Sequence, residues 1–514
     1  MCVLSIFKII LNFPIKAKVL GYCIRGYCCS KTLIDDANTL EFKDIPGPRS
    51  YPIIGTLYKY LPVVGDYDAE ALDKTSWLNW HRYGGLVREC PGVNLLHIYE
   101  PDVMEAMFRR CDRYPARRSH VAMLHYRLSK PQVYNTGGLL STNGPEWWRL
   151  RSAFQKHFSG PQNAKLHVNT MDDVVTEFID WIKNNNLTVV HNFLPLLNRL
   201  NLEAIGAIAF NERFNSFSAS EMDVTSRSSK IVDAAFGSNS GIMKLDKGIM
   251  WRFIKTPLYN KLAQSQGYLE KVAADILHRK INFFEDGLSD LNDNSLLSSF
   301  KNLPNVDLKD ITGMMVDILM ASIDTTAYTI SFVLYHLCRN PECQENLYEE
   351  LLMLLPDSKC KITMDTLSKA TYLKACVKES LRLNPVAIGV GRVMQSDIIL
   401  KGYKIPKDTV IVTQNMTASR LPKYVRDPLK FKPERWIRDS EYFENLHPFL
   451  SLPFGFGPRS CIAKHLAEQN ICITIMRLFR AFDMKWIGGE LNIKTLLINK
   501  PDKPVALKLS RRFL

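Results

Sequence analysis

Apolar residues cover nearly every side of the stretch from Leu308 to Arg339, which predicts one long helix of roughly 48 Å. Asn340-Pro341 ends it, because the residue before a proline is pushed out of the helical region. Two acids, Asp317 and Asp324, interrupt the apolar surface, and Ser322, Thr325, Thr326 and Thr329 follow an i, i+3, i+4, i+7 spacing that gathers hydroxyls in one stripe. A membrane span is the rival reading of so apolar a helix; the acids and hydroxyls favour a helix buried through a large protein core. Hydroxyls in that setting commonly bond a carbonyl one turn back and do no chemistry.

Shorter elements follow from the same reading. Gly144-Pro145-Glu146 opens a helix that sets Trp147 and Arg151 four residues apart on one face. Phe178 to His278 is mainly helical, with loops expected at Asn184 to Leu187 and around Gly237 to Ser240. Leu95 to Tyr99 reads as a strand and Asp397 to Thr409 as a hairpin, while the acidic stretch Glu285 to Asn294 reads as a solvated loop. Near the C-terminal end a tight loop, Phe454-Gly455-Phe456-Gly457-Pro458-Arg459-Ser460-Cys461, leads into a helix expected from Ile462 to Arg480. Cys461 then sits at a helix N-terminus, which favours a thiolate.

Composition changes the picture in four places. Length alone suggests about three domains, yet 514 residues with 46% hydrophobic side chains can equally fill one large core. A net charge of +14 points to an acidic partner or an anionic surface, with a solvated basic face as the plain alternative. The 12 cysteines show no pairing pattern, as expected of a reducing compartment. Met1 to Ile34 carries Lys8, Lys16, Lys18, Arg25 and Lys31 and no acid, and its apolar run from Val3 to Leu11 is far shorter than the roughly 20 residues of a spanning helix. Residues 1–34 are therefore expected to be a mitochondrial transit peptide without a transmembrane anchor, followed by a linker and Pro-rich hinge at 35–49 and a catalytic unit at 50–514.

Taken alone, Cys461 has three plain readings: a buried structural thiol, half of a zinc site with His465, or a nucleophile. The full string Phe-x-x-Gly-x-Arg-x-Cys resembles the haem-thiolate loop of the cytochrome P450 family. The resemblance implies haem b as cofactor, Cys461 as the axial iron ligand, Phe454 packed beside it and Arg459 on a haem propionate, with Ala463 departing from the usual Gly. It likewise implies Trp147, Arg151 and Arg392 as propionate ligands, Thr325 and Asp324 as the proton-delivery pair of oxygen activation, and Glu379, Arg382 and Arg435 as a buried structural network. Ser322 stands where the family usually has Gly, which puts the helix distortion beside the haem in question. The implied fold is mostly α with small β-sheets, a triangular helical prism.

Finer likenesses narrow the branch. Leu373-Lys374-Ala375-Cys376-Val377-Lys378-Glu379 resembles the ferredoxin-docking face of mitochondrial P450s, with Lys374 and Lys378 one helical turn apart; two solvated lysines are the plain alternative. The implied partners are an acidic 2Fe-2S ferredoxin of adrenodoxin type with its NADPH-dependent reductase, a steroid, and peripheral contact with the inner membrane from the matrix side. Asp44 to Arg49, Gly55 to Pro62, Arg117 to His120 and Tyr134 to Leu140 are similar to the ecdysteroid 22-hydroxylases of insects. That likeness implies hydroxylation at carbon 22 of an ecdysteroid precursor, ketotriol to 2-deoxyecdysone. The alternatives are a 2- or 20-hydroxylase of the same pathway, a detoxifying mitochondrial P450, or a haem-binding sensor or carrier. Pocket residues are expected from Arg117 to Thr136, Asn201 to Phe214 and one face of the long helix.

Overall fold

The computed structural model describes residues 39–61, 63–158, 161–248, 250–285, 293–301 and 303–512. The expected leader at 1–34, the first four residues of the linker and hinge (35–38) and most of the acidic stretch (286–292) lie outside them.

The unit Leu40–Leu514 is built around the helix Leu308–Arg339, which has the bounds its apolar pattern predicts. Asp307 caps it by accepting from the Asp310 backbone, and His336 and Arg339 lie in the last turn, where the helix dipole favours cations. Pro341 starts the next helix, Pro341–Leu354. The central helix is apolar enough to cross a membrane, but 78% of its most apolar window is buried inside the protein, as the core reading requires. Helices Leu194–Phe210, Arg227–Lys247, Pro257–Glu285, Thr371–Leu383 and Lys464–Ala481 pack around it. It runs as continuous α-helix through Ser322, so no break accompanies the replacement of Gly.

Gly237 to Ser240 is not a loop. These residues lie inside the helix Arg227–Lys247 because small and polar side chains there serve close helix packing. A Cβ on Gly237 would fall 2.4 Å from Ser265 Oγ, Ser238 accepts from Gln266 Nε2 at 3.0 Å, and Asn239 Nδ2 donates to the Met320 carbonyl at 3.0 Å. The break expected after Asn184 is present: the helix Val168–Asn184 ends there and a short strand, Val189–Val190, follows.

β-Structure is confined to small sheets. Leu86–Glu89 pairs antiparallel with Leu95–Ile98, which runs parallel to Val410–Thr413, itself antiparallel to Gly391–Val393. The expected hairpin joins Ile398–Leu400 to Tyr403–Ile405 across Lys401 and Gly402, both at positive φ. The Pro-rich segment is docked: Phe42 and Ile45 are buried, and Arg88 N donates to the Pro46 carbonyl.

Candidate active site

A cavity enclosing about 1150 Å³ of atom-free space, part of it open to solvent, runs between the long helix and the loop before Lys464–Ala481. Its wall brings together Trp147, Arg151, Thr325, Arg459 and Cys461, residues far apart in the chain. Met314, Asp317, Ile318, Ala321, Ser322, Thr325 and Thr326 present one face of the long helix to it. Of the expected pocket segments, Arg117 to Thr136 contributes Arg117 alone to this wall, with Leu139 and Leu140 just beyond, and Asn201 to Phe214 contributes through Asn201, Ala204, Ile205 and Ile208.

Gly455 and Gly457 both hold positive φ and fold the loop so that Cys461 N donates to the Phe454 carbonyl at 2.8 Å. Phe454 is half-buried against the core. The helix starts at Lys464, not Ile462, with Ala463 as its N-cap, so Cys461 precedes the first turn. Cys461 lines the cavity. Burial pushes the thiol up from its ordinary range, against the lowering effects of the Ala463 backbone N–H and Arg151. Burial thus opposes the thiolate that the place of Cys461 in the sequence favours, and a cation facing the sulfur would favour it again.

Four arginines converge nearby. Arg459 Nε donates to the Pro115 carbonyl at 2.6 Å and Nη2 to Thr142 O at 2.8 Å and Asn143 Oδ1 at 2.6 Å, while its guanidinium lies 3.9 Å from the centre of the Trp147 ring. Its Nη1 is buried without a partner. Burial, then Arg117, Arg392 and Arg151, push Arg459 down to about 8. Arg151 Nη1 donates to Ser460 O at 2.9 Å. Arg392 stands outside the lining: Nη2 donates to Phe456 O at 2.8 Å, and Nε is buried and unpartnered. Arg117 is the member that motif reading gave no role in holding the cofactor; Tyr114-Pro115-x-Arg117 is its sequence signal. Buried guanidinium groups with unused N–H donors and mutual repulsion call for an anion. The two carboxylates of haem b fit that need, and the Cys461 sulfur on the same cavity fits an axial ligand.

Across the cavity, Thr325 Oγ1 donates to the Ala321 carbonyl at 2.6 Å; Ser322 and Thr329 donate one turn back in the same way. Asp324 is buried on another side of the helix and does not line the cavity. Asn239 Nδ2 lies 3.5 Å from Asp324 Oδ2, and Oδ1 has no hydrogen-bond partner. Burial raises this carboxyl to about 7, against the opposing pull of Asn239 and Lys500. Asn239 carries no motif signal, because Gly237 to Ser240 reads as a loop in the sequence.

Glu379, Arg382 and Arg435 meet as expected and are fully buried. Arg382 donates to Glu379 through Nε at 2.9 Å and Nη2 at 2.7 Å, and Arg435 Nε and Trp436 Nε1 each donate to it at 2.9 Å. Burial pushes the Glu379 carboxyl up, but these donors outweigh it and the net shift is downward. Arg382 also binds the Ser419 and Pro428 carbonyls, and Arg435 binds Glu444, so the network pins the segment leading to the cysteine loop. Lys378 is exposed, with Nζ 5.9 Å from the centre of the Trp436 ring, and half-buried Lys374 donates to Ser368 O at 2.7 Å.

Residues 45–509 match the family model described as Cytochrome P450. The chain is 43% identical to "Cytochrome P450 302a1, mitochondrial" of Drosophila melanogaster over 92% of its own length and 96% of that protein. It is 31% identical to "Cytochrome P450 CYP12A2" of Musca domestica over 75% of each chain. It is 28% identical to "Ecdysone 20-monooxygenase" of Drosophila melanogaster, over 91% of this chain and 88% of that one.

Proposed function

The chain belongs to the cytochrome P450 family, the haem b monooxygenases, and from that premise we propose that it is a mitochondrial steroid hydroxylase acting at carbon 22 of an ecdysteroid precursor, the ketotriol. The observation that carries the monooxygenase assignment to particular residues is the shared cavity of Cys461, the arginine cluster and Thr325. Cys461 would hold haem b, with Arg459, Arg151, Arg392 and Trp147 as the groups that would pair with its carboxylates, and the haem would supply the oxygen-activating redox chemistry. Phe454 supports the loop that presents the sulfur.

The chain's own task is to bind, orient and deliver protons. Ile205, Ile208, Leu139, Ile318 and Ala321 give the cavity apolar surface that excludes water. Thr325 rests its proton on the Ala321 carbonyl, and delivery means exchanging that acceptor for one in the cavity. Asp324, titrating near neutrality, recharges Thr325; because it faces away from the cavity, the transfer needs a water or a side-chain rotation.

The mitochondrial assignment is supported by the acid-free basic leader and by relatives named as mitochondrial, such as cytochrome P450 302a1. Electrons then come from an acidic ferredoxin and its NADPH-dependent reductase, docking beside Lys374 and Lys378. Exposed Met250, Phe253 and Ile254 between two helices support a peripheral contact with the inner membrane from the matrix side. The ecdysteroid assignment rests on the likeness of Pro46 to Pro62 and Arg117 to Leu140 to the insect 22-hydroxylases. The 28% match to an ecdysone 20-monooxygenase, below the 43% match to cytochrome P450 302a1, weighs against carbon 20. Incubating purified protein with ferredoxin, reductase, NADPH and ketotriol should give one product with oxygen at carbon 22 by mass spectrometry and NMR. Oxygen at carbon 2 or 20, or turnover of xenobiotics without turnover of ketotriol, would reject the substrate.

A further inference from the structure

The short helix Val121–Leu128 belongs to a segment that walls the cavity, since Arg117 before it and Leu139 and Leu140 after it line that space. The base of the segment is pinned. Arg459 holds the Pro115 and Thr142 carbonyls, and Val393 N donates to the Ala116 carbonyl at 2.9 Å. The C-terminal end of the helix is anchored too: fully buried Arg127 pairs with Asp317 of the long helix at 2.8 Å, and Lys130 donates to Glu270 of Pro257–Glu285 at 2.7 Å. Halfway along, exposed His125 has its Nδ1 3.0 Å from the Tyr259 hydroxyl.

The N-terminal end is held differently. Ala122 and Met123 are buried there, but the polar backbone depends on one side chain from another helix. Asp246, in the last turn of Arg227–Lys247, accepts the backbone N–H of His120 at 2.5 Å, of Val121 at 2.8 Å and of Ala122 at 3.4 Å. His120, the N-cap residue, makes no capping bond with its own side chain and holds φ 61. That left-handed conformation is costly for a non-glycine residue and persists only where the surroundings enforce it. A carboxylate in the last turn of a helix meets the negative pole of its own dipole, whereas the start of Val121–Leu128 offers the positive pole. Asp246 is therefore placed for the second helix, not the first. Open space lies beside the same end: Val121 and Leu124, with Val393 and Val410 of the sheet, line a pocket enclosing about 740 Å³, part of it open to solvent, and Arg117 lines both this pocket and the cavity.

We propose that Val121–Leu128 is a lid that pivots on the Arg127–Asp317 pair, and that Asp246 is the latch at its free end. Releasing the latch frees the three backbone N–H groups and relaxes the His120 backbone, and the free end swings so that the pocket beside Arg117 joins the cavity. A bulky ligand passes only then; a small one needs no such movement, because part of the cavity is already open to solvent. Asp246 is thus a positioning residue. It sets how fast ligands exchange, not the chemistry at Cys461 or Thr325, and the inference holds whichever substrate the cavity takes.

Hydrogen exchange of the haem-loaded full chain reads the latch, and stopped-flow ligand binding reads the passage. Asp246→Ala should speed amide exchange across residues 120–124 by about tenfold and leave the rest of the chain as it was. Association and dissociation of ketoconazole, followed by the Soret shift of nitrogen ligation, should both quicken several-fold. Imidazole, which would bind the iron in the same way but is small, should keep its rates. Asp246→Asn retains one acceptor oxygen and should fall between the two; it is also the variant to read if Asp246→Ala loses haem. Unchanged exchange at 120–124 in a haem-loaded variant overturns the latch. Faster exchange with unchanged ketoconazole rates, or with imidazole quickened by the same factor, overturns the lid. Either result leaves the monooxygenase and substrate readings standing.

Discussion

Asp324 and Thr325 are adjacent in sequence and live in different media. Thr325 faces the cavity; Asp324 is 1% exposed, beside Asn239. Helical angles alone separate the two side chains by about 100°, so their divergence was legible in the sequence. The environment of Asp324 was not, because Asn239 comes from a helix whose small polar residues imitate a turn. Its folded pKa of about 7 lies above the ordinary 3.8, so the folded state holds the extra proton. The associated stability is present at low pH and is lost as pH rises from about 4 through 7. Asp324→Asn should therefore change stability little near pH 4 and raise it by up to about 4 kcal/mol at pH 8. Thermal melts at the two pH values check this; a gain that is equal at both would contradict it. Thr325→Ala should keep haem and substrate binding while diverting reducing equivalents to hydrogen peroxide, measured as product formed per NADPH consumed.

At the scale of elements, the long helix was the easiest to read. Its apolar run, its Asp307 cap and Pro341 all mark the same bounds, and tertiary packing did not override them. The Glu-x-x-Arg pair shows the opposite case, since spacing cannot separate an exposed helical ion pair from a buried one. Burial of Glu379 and Arg382 appears only when Arg435 and Trp436 close over them from a segment some fifty residues on. Removing one partner leaves buried charge uncompensated. Glu379→Ala should cost about 3 to 5 kcal/mol and give a chain that fails to retain haem. Absorbance per mole of purified protein, with denaturant melts, measures both; a loaded variant of ordinary stability would show that the network is dispensable.

For the whole molecule, motifs named Cys461, Arg459, Arg151 and Arg392 separately, but only the fold shows Arg117 joining them and leaves Arg459 Nη1 and Arg392 Nε unpartnered. Convergence of like charges across hundreds of residues leaves no local periodicity to read. The proposed ferredoxin face also belongs to this scale. Lys374→Gln with Lys378→Gln should raise the apparent ferredoxin requirement several-fold to about tenfold at low salt, less at high salt, and leave substrate binding alone. Kinetics against ferredoxin concentration at two ionic strengths would show it; equal turnover with a microsomal flavoprotein reductase would contradict the partner. Cys461 is proposed to hold the haem iron as a thiolate on the cavity that Arg459 and Arg151 also line, and the carbon monoxide spectrum of the reduced protein tests this most directly. The unmutated chain should show the strongly red-shifted Soret band of thiolate ligation, which Cys461→His should lose; a histidine-type spectrum in the unmutated chain would contradict the account.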